Sequence, residues 1–192
     1  MAVPSEFDNQ TGITARNHIN QFIKKVSFSY NHIVGRLLEV GPQDRSFIKN
    51  MFPNLEYFDL DINDKYNPRI VGDLTKENQD IPSNYFDIIF CMEVLEHSLN
   101  PFNVVKELRR ILKNQGLLVV SAPLNWRIHG PIPDCWRFTE HGFKVLLKDF
   151  DIIEIDILET PGRELFPIHY NVLAVNNLSK VANDSEIKFR VI

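Results

Sequence analysis

Cysteine is scarce: Cys91 and Cys135 are the only two in 192 residues. Two thiols without metal-ligand spacing point to a reducing compartment, and no metal site is expected. No apolar run approaches the length that crosses a bilayer. The first residues, Met1 to Asn9, are polar and acidic, unlike a secretory signal peptide, so a cytoplasmic location is expected. Positive charge is also in short supply, with 21 Lys and Arg against 25 Asp and Glu. The basic residues cluster only in pairs such as Lys24-Lys25 and Arg109-Arg110, which excludes the basic face of a nucleic-acid binder. Internal repeats and low-complexity segments are absent. An apolar content of 44% and a charged content of 24% fit a globular chain, and the length allows one domain with a substantial core.

Glycine is missing from one telling place. The apolar run Arg36-Leu-Leu-Glu-Val stops at Gly41, as a buried parallel strand stops at its turn. Some twenty residues on, Tyr57-Phe-Asp-Leu-Asp61 is a second short strand that ends on a carboxylate. A glycine turn after one strand and an acid at the tip of the next is how doubly wound α/β domains hold a nucleoside. The turn lets the ligand approach the backbone, and the acid takes the ribose hydroxyls. A dinucleotide would call for Gly-x-Gly-x-x-Gly, whose bare amides surround a pyrophosphate. Here Pro42-Gln43-Asp44-Arg45 follows Gly41. Glu39 would also repel a pyrophosphate and suits a cationic or ammonium-bearing ligand. These residues favour S-adenosylmethionine (SAM) over a nicotinamide dinucleotide, and the oxidoreductase reading stays as an alternative.

Three further segments occur in order: Val71-Gly-Asp73-Leu74, Phe86-Asp-Ile-Ile-Phe-Cys-Met-Glu-Val-Leu-Glu-His97, and Gly116-Leu-Leu-Val-Val-Ser-Ala122. With the first two strands they resemble the class I SAM-dependent methyltransferases, in the group with Val-Leu-Glu-His after the fourth strand. The resemblance covers residues 34–176. The chain departs from it where Gln43 and Arg45 replace the second and third glycines. The resemblance implies a Rossmann-like, mostly parallel sheet of seven strands whose last strand is antiparallel. It also implies a helical cover over 1–30, a core over 34–176 and a tail over 177–192. A silent SAM-binding or scaffold protein is the remaining alternative.

Periodicity places a first helix over 13–25, with Ile13, Ile19, Phe22 and Ile23 near one face. Strands follow at 36–40, 55–61, 69–72, 86–91 and 117–122, with a short helix from about Ser46 to Met51. Asn100-Pro101 starts a helix whose apolar face holds Phe102, Val105, Leu108 and Leu112, and Gly116 ends it. Thr139 caps another helix, and β-like runs at 151–158 and 168–175 form an edge pair. Alternating strand and helix units imply right-handed parallel crossovers.

Expected cofactor contacts are Glu39, Gly41, Pro42, Asp61 and Ile62. The resemblance adds Asp73 toward the adenine amino group, Leu74 against the ring, and Cys91 and Met92 along the groove. Each has a plainer reading: strand-tip acids in solvent, a Gly-Asp turn, core packing. Cys91 as a nucleophile lacks a neighbouring base. Methyl transfer from a sulfonium is an in-line displacement, so alignment and exclusion of water dominate. A base is needed only for a neutral hydroxyl or protonated amine, and His97 or His129 would serve. His97 equally reads as fixing its loop.

The least generic segment is Asn125-Trp-Arg-Ile-His-Gly-Pro-Ile-Pro-Asp-Cys-Trp-Arg-Phe-Thr139, at the carboxyl edge of the sheet. It holds both tryptophans. Arg127, Trp136 and Arg137 suit a sugar face or an anion, with Tyr170 as a further candidate. The competing reading makes Trp136-Arg137-Phe138 an anchor for the next helix. The expected acceptor is a small molecule: a sugar, a nucleotide-linked sugar or a phosphate-bearing precursor of a surface glycan. A second copy of the chain is the one protein partner considered, as a homodimer.

Overall fold

A computed structural model describes residues 3–42 and 47–180. Ser5 and Asp8 start the first helix by capping each other: the Asp8 amide donates to the Ser5 hydroxyl at 3.1 Å and the Ser5 amide to the Asp8 carboxylate at 2.8 Å. That reciprocal bond satisfies donors that a helix end otherwise leaves unpaired. Helix α1 then runs over Glu6–Tyr30, longer than the periodicity predicts. Ile19, Phe22, Ile23 and Val26 form its buried stripe. Ile13 departs from the expectation: it is 57% exposed, because this half of the helix faces a cavity rather than the sheet.

The strands are β1 (Gly35–Val40), β2 (Leu55–Asp61), β3 (Ile70–Val71), β4 (Phe86–Met92), β5 (Leu112–Pro123), β6 (Asp151–Leu158) and β7 (His169–Val175). They form one sheet in the order β3-β2-β1-β4-β5-β7-β6, and β7 runs antiparallel to both neighbours. Alternation along the strands builds two cores. Leu37, Ile88, Leu117 and Val119 pack with Phe22 of α1 and with Ile48 of α2 (Phe47–Met51). Leu38, Ile89, Leu118 and Val120 pack on the other face with Leu108 of α3 (Pro101–Ile111) and Phe143 of α4 (Glu140–Leu146). Covering both faces explains why the strands read as unbroken apolar runs.

The junction of α3 and β5 also differs from the sequence reading. Helix α3 ends at Ile111, and Gly116 lies inside β5 instead of closing the helix. Leu112 pairs with Phe86 at the start of that strand, so sheet pairing outcompetes a further helical turn. The buried face of α3 is Pro101, Val104, Val105, Leu108 and Ile111, spaced for one stripe, and Phe102 falls off it. The expected helix start at Ser46, with Gln43 and Arg45, lies outside the described residues, as does the tail from 181 onward.

Candidate active site

The sheet register lines up the carboxyl ends of its strands. Val40 pairs with Leu60 on one side and with Cys91 on the other, and Cys91 pairs with Val120. The next step along each strand brings Gly41, Asp61, Met92 and Ser121 to one rim, where ligands bind in open α/β sheets. Gly41 has φ +62, and a Cβ built there would stand 3.0 Å from Val94 Cγ2. The turn therefore favours glycine for its conformation, and a side chain there would also crowd Val94. Pro42 follows it, buried. Glu39 is buried and accepts the Tyr57 hydroxyl at 2.7 Å. Asp61 accepts the Asn63 amide at 2.8 Å, and Ile62 beside it is 71% exposed.

Asp73 and Leu74 sit less openly. Asp73 Oδ1 takes both the amide and the hydroxyl of Thr75, at 2.9 and 2.7 Å. Burial works against its charge, but those bonds hold its carboxyl below the usual range. Leu74 is packed into the core with Leu60. Cys91 is fully buried, and burial pushes its thiol far above the usual value, so it is no nucleophile.

Just past β4 the chain turns sharply. Glu93 takes φ 55, uncommon for a side-chain-bearing residue, and its amide donates to the Ser121 carbonyl and hydroxyl at 3.2 and 3.1 Å. A 3-10 turn, Leu95–His97, follows. The loop after β5 folds back onto this turn. Amides of Cys135 and Trp136 donate to the Glu96 carbonyl at 2.7 and 3.2 Å, and the Trp136 indole donates to the Ser98 carbonyl at 2.8 Å. These bonds bring His129 to His97, with ring centres 4.8 Å apart. Burial lowers the affinity of His97 for a proton.

Arg137 holds the loop in shape. Its guanidinium forks onto Asp134 at 2.5 and 2.8 Å and also donates to the carbonyls of Trp136 and Arg127 at 2.7 and 3.1 Å. The fork holds the Asp134 carboxyl well below the usual range. Asp134 also receives the His129 amide at 2.9 Å. Arg137 was expected as an acceptor fork; both of its terminal nitrogens are engaged within the loop. Trp136 stacks on Phe138 at 6.3 Å and anchors the loop to Ser98. Tyr170 is buried against Phe143, 6.0 Å between ring centres, on the sheet face away from the cavities described next.

Between α1 and the loop lies a cavity of about 660 Å³, lined by Asp8, Arg16, Trp126, Arg127 and His129 among others. A second, of about 190 Å³, is lined by Arg16, Glu93, His97, Trp126, His129 and His169. The shared lining residues make them neighbours. Arg127 stands in the larger one with its guanidinium 3.2 Å from Asp8.

A model of a family described as a methyltransferase domain matches residues 14–151. The chain belongs to this family. A ubiquinone biosynthesis O-methyltransferase of Glaesserella parasuis serovar 5 (strain SH0165) is 40% identical over 57 residues, which are 30% of this chain and 24% of that protein. The curated relative is thus matched over about a quarter of its length. Among solved structures, the N-methyltransferase NodS of Bradyrhizobium japonicum WM9 has a TM-score of 0.62 at 14% identity, over 85% of this chain and 97% of that one. The trans-methyltransferase CalH, solved in complex with S-adenosylhomocysteine (SAH), has a TM-score of 0.60 at 16% identity, over 83% and 55%. These distant likenesses describe the fold.

The rim of this methyltransferase domain fits SAM on its own geometry. A left-handed glycine turn, a strand-tip carboxylate and an exposed Ile62 beside it suit a ribose and a flat base. Two residues escaped the sequence reading as chemical groups. Glu93 Oε1 lies 2.6 Å from His169 Nε2 and accepts the Ser121 hydroxyl at 3.0 Å. Burial works to raise the Glu93 carboxyl, and His169, Ser121 and Arg16 together more than offset it, so the group is held below its ordinary value. The other is Glu96, whose side chain is 0% exposed. Burial, with the Glu93 charge second, pushes it up to about 9.

Proposed function

We propose that this domain transfers the methyl group of SAM to a small-molecule acceptor seated between α1 and the loop over 124–138. The observation that carries the reading is the pair of adjoining cavities beside the strand-tip rim. Their lining mixes a tryptophan face with Arg16, Arg127, Asn9 and Asn17, which suits a sugar or an anion. SAM brings a methyl already activated on its sulfonium. The chain's own residues then have three tasks. Asp61, Gly41 and Glu39 hold the cofactor at the rim. Helix α1 and Trp126 close the acceptor side against water. Glu93, kept charged beside His169, stands in the smaller cavity where a hydroxyl acceptor's proton is taken up, and His97 and His129 line the same space. The Asp134-x-Trp136-Arg137-Phe138-Thr139 stretch, by its resemblance, supports a sugar, nucleotide-linked sugar or phosphate-bearing precursor of a surface glycan.

A product screen by mass spectrometry, offering sugar and phosphate acceptors with labelled SAM, tests the reading. A labelled methyl on such an acceptor is expected. Calorimetry tests the cofactor: saturable binding of NAD with none of SAH overturns the proposal.

A further inference from the structure

The turn after β4 and the loop after β5 bring together a donor set that methyl transfer does not require. Glu96, His97 and His129 each offer one ligand atom, and these lie within 4.8 Å of one another. Glu96 Oε1 stands 3.8 Å from His97 Nε2 and 3.9 Å from His129 Nε2. Among the described residues, both Glu96 carboxyl oxygens are buried without a hydrogen-bond partner. Buried polar groups are almost always hydrogen-bonded, so an orphaned carboxyl group facing two imidazoles calls for an occupant.

The outer contacts point the same way. His97 Nδ1 is 3.0 Å from the Pro133 carbonyl, so Nδ1 carries the hydrogen and donates it. His129 Nδ1 is 3.1 Å from the Asp134 carboxylate and donates likewise. In the neutral form of each ring the lone pair is then at Nε2, on the side of Glu96. A carbonyl or carboxylate that fixes the far nitrogen is the usual support of a metal-bound histidine. The Asp134 charge is in turn compensated by the Arg137 fork.

We propose that Glu96, His97 and His129 form a site for one divalent transition-metal cation. Two imidazole nitrogens with one carboxylate suit zinc, manganese or iron(II) better than magnesium or calcium, which prefer oxygen ligands throughout. Metal bonds of about 2.0–2.2 Å set ligand atoms about 3.0–3.5 Å apart, so Glu96 and each histidine need to close by roughly half an ångström, and the widest pair by more than about one ångström. Both histidines line the smaller cavity, which puts the cation at its wall.

The test titrates untagged protein with Zn²⁺ or Co²⁺ alone. Neither cofactor nor acceptor is present, so its outcome is separate from that of the methyl-transfer reading. One equivalent is expected to bind, and Co²⁺ should develop a visible absorption band. Glu96→Gln keeps the shape and removes a ligand charge, while His129→Asn removes a ring. Each should weaken binding at least about tenfold, as even loss of a supporting contact does. Circular dichroism checks that both variants fold. Cys135→Ser, on the same loop and exposed, should bind as the native protein does. Absence of saturable binding, or binding that Glu96→Gln and His129→Asn retain undiminished, overturns the site.

Discussion

Replacing Arg137 by Lys tests whether the loop over 124–138 is held by its own internal ion pair. The guanidinium makes a two-point bond to Asp134 and caps the carbonyls of Trp136 and Arg127. A lysine ammonium is a point charge and keeps one of the Asp134 bonds at best. Asp134 has 0% side-chain exposure, so the oxygen left behind stays out of water. A hydrogen bond to a charged group contributes about 1.5–3 kcal/mol. Removing a partner from a buried pair costs about 3–5 kcal/mol. Arg137 itself is 24% exposed on its side chain, so solvent screening pulls its share toward the low end. We therefore expect Arg137→Lys to destabilise the fold by about 2 kcal/mol, and Arg137→Met by about 3–4 kcal/mol. Urea unfolding followed by far-UV ellipticity measures both, with the slope unchanged. The loop carries Arg127 and His129, so the acceptor Michaelis constant should rise in the folded fraction while SAH affinity holds. If both variants unfold within about 0.5 kcal/mol of the native protein, the pair behaves as a screened surface bridge and does not staple the loop.

Asp61→Ala should weaken SAH binding by about 1–3 kcal/mol in calorimetry with little change in stability, and an unchanged dissociation constant refutes the ribose role. Glu107 accepts the Arg110 guanidinium at 2.7 Å and the Asn78 amide at 2.8 Å; burial opposes its charge, yet these bonds hold its carboxyl below the ordinary value. A depressed carboxylate stabilises the fold fully above the unfolded value and loses that contribution as pH falls through the folded one, so the stability gap between native protein and Glu107→Gln should shrink on acidification from about pH 4.5 downward. A gap that is constant with pH shows that the charge is irrelevant. Trp126 lines both cavities, whereas Trp136 is bound to Ser98 and stacked on Phe138. Adding acceptor to the SAH complex should therefore change tryptophan emission, and Trp126→Phe but not Trp136→Phe should abolish the change; the reverse pattern would place the acceptor elsewhere.

The fold was legible because both sheet faces are covered. A strand buried on two sides cannot alternate, and the runs at 36–40, 86–91 and 117–122 have no other reading. The Gly41 turn showed itself by its glycine, and the Asp61 tip by an acid after an apolar run. The edges of α3 were not legible. Leu112 suits a helix face as well as a strand, and only its pairing with Phe86 settles the matter. Arg137 was visible as a fork, but its bond to Asp134 was not read. Asp134 stands three positions earlier, a spacing that often lets side chains meet, and that pairing was the missed signal.

The Glu93–His169 pair shows how far topology alone would have carried the site. A last strand that runs antiparallel starts where its neighbours end. The expectation of such a strand at 168–175 therefore already placed His169 at the ligand edge, opposite Pro123 in the register. The residue just past strand four must lie at the same edge, which makes Glu93 its natural neighbour. Glu96 could not be found this way. One turn later a carboxylate is as often in solvent as not, and what buries it is the return of the 124–138 loop. That return depends on two amides reaching the Glu96 carbonyl across nearly forty residues of chain, a contact that no local pattern records. The chemistry of the rim follows from strand order, and the chemistry of Glu96, His97 and His129 follows from one loop closing over one turn.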